Sequence, residues 1–298
     1  MTKENIAREI ENGQAVLGIE FGSTRIKAVL IDSEKNPVAQ GGFTWENSLA
    51  DGIWTYSLDE IHGGIVSAYS ELKKDVLEKY GVKLSNLKAL GISAMMHGYL
   101  AFDRENNLLV PFRTWRNTIT GGASKKLTEL FNYPCPERWS ISHYYQAILN
   151  NEAHVPQVDF FTTLAGYVHF MLTGKKVLGV GDASGMFPID AETGDYDKSM
   201  AGKFDSLVEG KGCAKKLLEL LPKAIPAGTD AGKLTKEGAL WLDPTGELAE
   251  GILCAPPEGD AGTGMVATNA VAPRTGNISA GTSVFAMVVL EKALSKAY

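Results

Sequence analysis

The first third of the chain alternates short apolar runs with one long segment of helical period. Residues 15–19 and 26–32 are rich in Val, Ile and Leu, and their length predicts two paired strands joined by a short loop. A third strand fits residues 38–44. Apolar residues then recur every three or four positions across 58–80, which predicts a helix, and Gly81 is well placed to end it.

The rest of the chain continues this mixture of strands and helices. An apolar run at 87–94 predicts a buried strand, and a loop at 95–98 follows it. Segment 160–174 has the clearest helical pattern and ends in glycine. Near the C-terminus, 251–273 predicts a strand, a loop and a small-residue helix, and 276–290 predicts strand, loop and strand. We therefore expect a mixed α/β fold.

Segments 18–31 and 277–290 echo each other, although they lie at opposite ends of the chain. Their apolar flanks match, and each has a glycine followed by two hydroxyl residues between two predicted strands. In this alignment Gly22, Ser23 and Thr24 fall on Gly281, Thr282 and Ser283. Two ordinary hairpins could coincide in this way, because Gly, Ser and Thr are common in turns. With two loops and matching flanks we favour duplication, and we predict that both adopt the same strand–loop–strand shape.

Composition narrows the class of protein. Of 298 residues, 44% are hydrophobic and 21% charged, which is ordinary for a globular protein. A net charge of -6 disfavours nucleic acid as the main partner, since phosphate backbones are usually bound by a basic face. Three scattered cysteines do not suggest a disulfide framework, and no apolar stretch is long enough to cross a membrane. We expect a cytoplasmic enzyme, without nucleic-acid or membrane partners.

The two glycine–hydroxyl loops suit an anion. Backbone N–H groups and hydroxyls can point at one spot, and glycine lets the chain approach a ligand closely. Arg25 or Lys27 could add charge to the first loop, or each could be a solvated residue of a strand edge. If the two loops faced each other, they could bind successive phosphates of a nucleotide.

Two carboxylates are candidates for the chemistry beside such phosphates. Asp260 lies between an apolar run and a small-residue helix, so it is either a helix N-cap or a general base that takes a proton from an attacking alcohol. Glu20 ends the first predicted strand and is either an exposed loop acid or a group that holds Mg²⁺ through water.

Four more residues have competing interpretations. His97 is a structural hydrogen-bonding residue or a ligand-binding one, and Met96 a core residue or part of a pocket. Trp115 is a core aromatic or a face on which a sugar stacks. Asp182 reads first as a turn or cap residue. The sequence lacks HExxH, paired-cysteine and GxSxG patterns, so it gives no support for a zinc enzyme or a serine hydrolase.

The order of these motifs resembles that of the FGGY carbohydrate kinases. The segments are GIEFGSTRIKAVLID, ALGISAMMHGYLAFD, TWRN, VGDASGMFPID, EGDAGTGMVA and SAGTSVFAMVV. The tripeptide MHG at 96–98 looks most like the xylulokinase branch, and the similarity runs from about Val16 to Leu290. It implies the actin-like ATPase fold, with two ribonuclease-H-like domains around a cleft. Residues 1–250 would be the sugar-binding first domain, complete, and 251–298 the beginning of a nucleotide-binding second domain.

The resemblance also implies roles for individual residues. ATP, Mg²⁺ and a small ketose would be the ligands, and a homodimer stays open. Asp260 would be the base, Glu20 would serve the metal, and the sugar would lie near Met96 and His97, with Trp115 a further candidate contact. Because α/β sheets place ligands beyond the carboxyl ends of their strands, we expect Met96 and His97 on the same side of the cleft mouth as Asp260. The nucleotide phosphates would meet both loops, at Gly22, Ser23, Thr24, Lys27, Gly281, Thr282 and Ser283.

Three departures from the family pattern keep alternatives open. The family usually has Asp where Glu20 stands, and its xylulokinases tend to have Trp-Asn-Asp where this chain has Trp115, Arg116 and Asn117. Family members also continue well beyond residue 298, so we expect an N-terminal portion of a longer kinase.

The leading hypothesis is ATP-dependent phosphorylation of a ketopentose such as xylulose. The alternatives are a kinase for another sugar or polyol, a non-catalytic sugar-binding or regulatory module, and an actin-like ATPase with a protein partner, which the MHG and GDAG motifs disfavour.

Overall fold

The computed structural model describes residues 1–280, 284–292 and 294, which form a mixture of strands and helices. The strands are β1 (Val16–Phe21), β2 (Arg25–Ile31), β3 (Pro37–Thr44), β4 (Ser48–Ala50), β5 (Ile53–Thr55), β6 (Ala89–Ala94), β7 (Leu100–Phe102), β8 (Phe160–Thr162), β9 (Val177–Gly179), β10 (Ile189–Asp190), β11 (Asp195–Tyr196), β12 (Lys223–Ile225), β13 (Leu253–Cys254), β14 (Glu258–Gly259), β15 (Gly276–Ala280) and β16 (Val284–Val288). The helices are α1 (Lys3–Glu11), α2 (Leu58–Tyr80), α3 (Gly121–Phe131), α4 (Ser140–Leu149), α5 (Leu164–Thr173), α6 (Val180–Ala183), α7 (Lys198–Leu207), α8 (Leu217–Leu220), α9 (Lys236–Leu242) and α10 (Asp260–Ala267), with a short 3₁₀ helix at Val155–Gln157.

The largest sheet has the strand order β13-β6-β1-β2-β3, and β14 pairs with the far end of β6. β1, β2 and β3 form an antiparallel meander, whereas β6 runs parallel to β1, and β13 and β14 run parallel to β6. The three N-terminal strands and the buried strand at 87–94 are therefore confirmed. Parallel β1, β6 and β14 bring their carboxyl ends to one edge, where ligands of open α/β sheets usually bind.

Helix α2 covers one face of the sheet and follows the predicted boundaries. Ser57 and Glu60 form a reciprocal capping box at its start, and Gly81 ends it in the left-handed conformation at φ 71°. The stripe Ile61, Ile65, Leu72 and Val76 is fully buried against the sheet. The apolar residues that recur with the 3.6-residue period thus form the helix face that packs on the sheet and completes the first hydrophobic core.

A second core lies under the helical middle of the chain, and here one prediction is wrong. Residues 160–162 are strand β8, paired antiparallel with β7, and the helix begins only at Leu164 after the Thr163 side chain caps it. Phe160 and Phe161 are buried in this pairing. Apolar runs of this length fit a strand or a helix equally well, and here pairing with β7 makes these residues a strand. The helix ends at Gly174, as predicted.

The two echoing segments are both antiparallel hairpins. β1 and β2 pair Phe21 with Ile26 across their loop, and β15 and β16 pair Ala280 with Val284. Under the sequence alignment these registers differ by one residue, because Phe21 corresponds to Ala280 and Arg25 to Val284. Residues 281–283 lie outside the described part of the chain, so the matching loop shape stays a prediction.

The predicted boundary at residue 250 also stays a prediction. Beyond it, β13 and β14 still pair with β6 of the first sheet, while β15 and β16 form a separate two-stranded sheet. Among the described residues, the longest apolar helices fall short of what a bilayer crossing requires.

Candidate functional site

A groove of about 490 Å³ lies along the sheet face opposite α2, beside α10. Register explains its polar floor: Lys27, Glu20, Ser93 and Glu258 are neighbours across β2, β1, β6 and β14. Residues paired in register project to the same face of a sheet, so these four side chains form one row. A hydrogen bond of 3.0 Å between the hydroxyls of Ser93 and Thr263 ties α10 to the groove.

Asp260 stands where α10 begins, at the edge of this groove. Gly259 occupies the N-cap position, so Asp260 is the first helical residue and the N-cap interpretation does not hold. Its Oδ1 accepts the Met96 backbone N–H at 3.3 Å. Burial raises the pKa of Asp260, the N–H groups of Met96 and Ala261 oppose that rise, and the charge of Glu20 adds to it. A carboxylate that is more basic than usual and borders an open groove suits proton abstraction.

Met96 and His97 occupy a tight bend directly after β6. His97 has a φ of 70°, and its Nδ1 lies 3.2 Å from the carbonyl oxygen of Gly185. Burial lowers the pKa of His97 to about 4, against a smaller rise from the Gly185 carbonyl, so its imidazole is neutral at physiological pH. The structure therefore brings Met96 to Asp260 and turns one ring nitrogen of His97 towards Gly185. Contact of His97 with a sugar stays a prediction.

The first glycine–hydroxyl loop is held from behind through its carbonyl groups. The Trp45 ring N–H donates to the oxygen of Gly22 at 2.8 Å, and the Tyr56 hydroxyl donates to that of Ser23 at 2.7 Å. The oxygen of Thr24 accepts the Trp45 backbone N–H. Within the described ranges, the N–H groups of Ser23 and Thr24 have no acceptor. This arrangement fits an anion-binding loop; Gly281, Thr282 and Ser283 of the second loop lie outside the described residues.

Glu20 and Lys27 face each other across β1 and β2. The Lys27 Nζ lies 3.3 Å from Oε1 of Glu20, and both side chains are about half exposed. No group of three His, Cys, Asp or Glu residues that could hold a metal occurs in the part of the chain that the structure describes. A lone carboxylate still fits Mg²⁺, which commonly keeps most of its waters and takes one or two protein carboxylates.

The loop around Trp115 is fixed by packing and hydrogen bonds. Trp115 is partly buried and packs against the first core, which supports the core interpretation. The Asn117 side chain is buried and binds both the N–H and the carbonyl of Trp54, at 2.9 and 2.8 Å. The Arg116 guanidinium lies 3.7 Å from the centroid of the Trp54 ring and donates to Asn47. Stacking of a sugar on Trp115 stays a prediction.

Sequence reasoning missed two acids beside Asp260: Asp182, which is buried, and Glu258, which is partly buried. Asp182 is fully buried on α6, and its backbone N–H donates to Oε2 of Glu258 at 3.1 Å. Burial raises the pKa of Glu258, while the N–H groups of Asp182 and Gly181 oppose that rise. One signal was available: Glu258 precedes Asp260 by two residues after an apolar run. Nothing in the sequence indicated that α6 would meet this strand.

Comparison with known proteins shows the family to which this chain belongs. Residues 15–242 match the N-terminal domain of the FGGY family of carbohydrate kinases. A ribulokinase of Geobacillus thermodenitrificans is 23% identical to this chain, over 91% of this chain and 51% of its own length. A xylulose kinase of Haemophilus influenzae is 21% identical, over 90% and 54%. The chain spans about half the length of the curated relatives it matches.

Solved structures show the same fold. A xylulose kinase from Rhodospirillum rubrum superposes with a TM-score of 0.78 at 16% identity, covering 95% of this chain and 56% of that one. A gluconate kinase from Lactobacillus acidophilus gives a TM-score of 0.73 at 18% identity, covering 91% and 53%. The predicted fold class, an α/β protein of the actin-like ATPase type, is confirmed.

Proposed function

Because this chain belongs to the FGGY family of carbohydrate kinases, we propose that its protein transfers the γ-phosphoryl group of ATP to a hydroxyl of a small sugar, with a ketopentose such as xylulose as the first candidate. The observation that carries the proposal is the contact between Asp260 and the Met96 backbone, which joins the proposed base to the proposed sugar loop.

Asp260 is the proposed general base. Its carboxylate accepts the hydroxyl proton as the sugar oxygen forms a bond to the γ-phosphorus, and the bond from that phosphorus to the bridging oxygen breaks with its electron pair leaving on ADP. Burial and the nearby charge of Glu20 make Asp260 a stronger base than an ordinary aspartate. The Met96 N–H holds the carboxylate in place while the proton moves.

The glycine–hydroxyl loop and Glu20 are the proposed contacts for the nucleotide. The N–H groups of Ser23 and Thr24 would bind phosphate oxygens, and Lys27 would add a positive charge beside them. Glu20 would hold Mg²⁺ through water, and that ion would neutralise charge on the phosphate oxygens. Lys27 would exchange its partner Glu20 for a phosphate when the nucleotide binds. The second loop, 281–283, would complete the phosphate site.

A sugar acid is a second candidate substrate, favoured by two guanidinium groups. Neither Arg116 nor Arg138 forms an ion pair with a carboxylate of the described residues, and the charge of Arg138 contributes to the low pKa of His97. Unpaired guanidinium groups recognise carboxylates well. A non-catalytic sugar-binding module remains the third possibility, because sugar binding alone needs only the loop and Asp260.

A ligand screen separates these candidates. Thermal shift and calorimetry on this chain should show binding of xylulose or ribulose, because a specific ligand stabilises the native state. Gluconate and glycerol complete the panel. His97→Ala should weaken binding at least tenfold. The matched variant His62→Ala should not, because His62 lies on α2, across the sheet from the groove. If gluconate binds more tightly than xylulose and ribulose, and if Arg138→Gln loses that binding, the proposed substrate becomes a sugar acid instead of a ketopentose.

Asp260→Asn tests the catalytic step in the whole kinase. Asn is nearly isosteric and can still accept the Met96 N–H, so sugar binding should persist. Turnover should fall by about 10²–10⁴, the usual loss when a general base is removed. Asp230→Asn, an exposed turn substitution, is the control. Full turnover in Asp260→Asn would contradict the assignment of the base, and sugar binding without any turnover in the wild type would favour the non-catalytic module.

A further inference from the structure

Asp182 has an environment that does not suit a charged side chain. It is fully buried, and its Oδ2 accepts one hydrogen bond, from the Thr163 hydroxyl at 2.6 Å. Its Oδ1 has no partner among the described residues. An ionised carboxylate in a protein interior needs several donors or a cation, and Asp182 has a single neutral hydroxyl.

The groups that face Asp182 make ionisation harder still. Glu258 approaches from β14 and Asp260 from α10, and both add negative charge. Thr163 at the start of α5 supplies the one donor, and Tyr196 on β11 contributes a buried hydroxyl that is itself unpaired. No described Lys, Arg or His forms an ion pair with Asp182. Three neighbouring carboxyl groups cannot all be charged at low cost, so one of them keeps its proton.

Geometry selects Asp182 as the protonated member. Glu258 accepts backbone N–H groups, and Asp260 accepts the Met96 N–H, so each has partners that favour its charged form. Asp182 lacks such partners, and burial raises its pKa to about 8.

The neutral carboxyl group packs against the residue that precedes the proposed base. A Cβ atom added to Gly259 would lie 3.2 Å from Oδ1 of Asp182 and 2.1 Å from Cγ of Met96. Gly259 is therefore enclosed between Asp182 and the proposed sugar loop, and only a glycine fits there. We infer that Asp182 is a positioning residue that keeps its proton in the folded protein, supports Gly259 beneath Asp260, and by losing that proton at alkaline pH sets the upper pH limit of sugar binding. The last part of this inference rests on the proposed function.

Asp182→Asn reproduces the neutral acid without its titration. Its amide oxygen can accept the Thr163 hydroxyl, and its NH₂ group replaces the protonated oxygen. We expect the folding equilibrium constant of Asp182→Asn, relative to wild type, to rise about tenfold per pH unit between pH 5 and 8 and to level off above pH 8. The sign follows because the unfolded Asp182 loses its proton near its ordinary value, while the folded one keeps it to about pH 8.

Carbon-13 NMR of the Asp260 carboxyl group, assigned with Asp260→Asn, reports the coupling between the two residues without any ligand. In wild type its resonance should move a second time near pH 8, as Asp182 ionises, and in Asp182→Asn this second step should be absent. Asp230→Asn, an exposed turn variant, should keep it. In calorimetry at pH 6 to 10, sugar affinity should fall above pH 8 in wild type and hold in Asp182→Asn.

The outcomes separate this inference from the proposed function. Parallel stability profiles of wild type and Asp182→Asn, or an Asp260 resonance without a second step, would overturn the protonated state of Asp182. Unchanged sugar affinity and pH profile in Asp182→Ala would overturn the positioning role. If no sugar binds at any pH, the proposed function fails, while the stability and NMR measurements still decide whether Asp182 holds a proton beside Asp260.

Discussion

His143 on α4 is an imidazole that the fold keeps uncharged. It is fully buried, and neither ring nitrogen has a hydrogen-bond partner among the described residues. Burial lowers its pKa to about 3, and the nearby Arg113 and His97 contribute in the same direction. His143 therefore stays unprotonated in the folded protein at pH values below about 6.5, where the same side chain binds a proton in the unfolded chain. His143 thus opposes folding in acid, whereas Asp182 opposes it as the pH rises.

His143→Leu should remove this acid sensitivity. Between pH 6 and 4 the unfolding free energy of wild type should fall relative to the variant by up to about 1.4 kcal/mol per pH unit, because only the wild-type unfolded chain gains that proton. Chemical denaturation at a series of pH values measures the difference. The slope is the readout, since the substitution also changes packing at every pH. Parallel slopes would mean that folded His143 accepts a proton as readily as a free imidazole.

Residue patterns alone could select Asp260 and the loop after β6, because both stand where strands end. They could not place Asp182 beside them. Its contact with Glu258 joins segments 76 residues apart, and it forms only when α6 meets β14. Patterns along a sequence report which face of an element a residue occupies, and they contain no information on which element covers that face. The placement of buried Asp182 beside Glu258 and Asp260 depends on the second kind of information.

At the scale of elements, helix α2 can be tested at its first turn. Ser57→Ala removes the side-chain oxygen that accepts the Glu60 N–H and the hydroxyl that donates to the Glu60 carboxylate, while the backbone N–H of residue 57 can still donate to that carboxylate. The unfolding free energy should fall by about 1 kcal/mol. Ser67→Ala, within the same helix, removes only an exposed hydroxyl bond to Gly63 and should change it by less than ~0.5 kcal/mol. Equal losses in the two variants would contradict the capping assignment.

Elements that carry their own signals could be predicted from the sequence. The period of 58–80, the cap at Gly81 and the apolar runs of β1, β2 and β6 are local, and each is present as expected. Residues 160–162 carry no such signal, because two phenylalanines and a threonine can form part of a strand or of a helix. Here the partner is β7, which pairs with them and delays the helix to Leu164. The error therefore lies where tertiary pairing outweighs local preference.

At the scale of the whole molecule, one ion-pair network joins early and late parts of the chain. Lys73 on α2 contacts Asp243 at 2.9 Å and Glu247 at 2.8 Å, and Lys83 reaches the other oxygen of Glu247. Asp243 is only 2% exposed, and it also accepts the Thr245 hydroxyl. The network holds the segment after α9 against the helix that supports the sheet and its groove.

Lys73→Met tests whether this network holds the fold together. The variant keeps the aliphatic stem but leaves the Asp243 carboxylate buried without its cation, so the unfolding free energy should fall by about 3 kcal/mol. That is the lower end of the usual range, because Thr245 and the Leu248 N–H still donate to Asp243. Lys74→Met is the matched control: it is the next residue of the helix, and within the described part of the chain it forms one ion pair, an exposed one with Glu78 at 3.7 Å. The control should lose less than ~0.5 kcal/mol. Denaturant titration of both variants measures the difference, and equal losses would show that the buried pair contributes no more than a surface one.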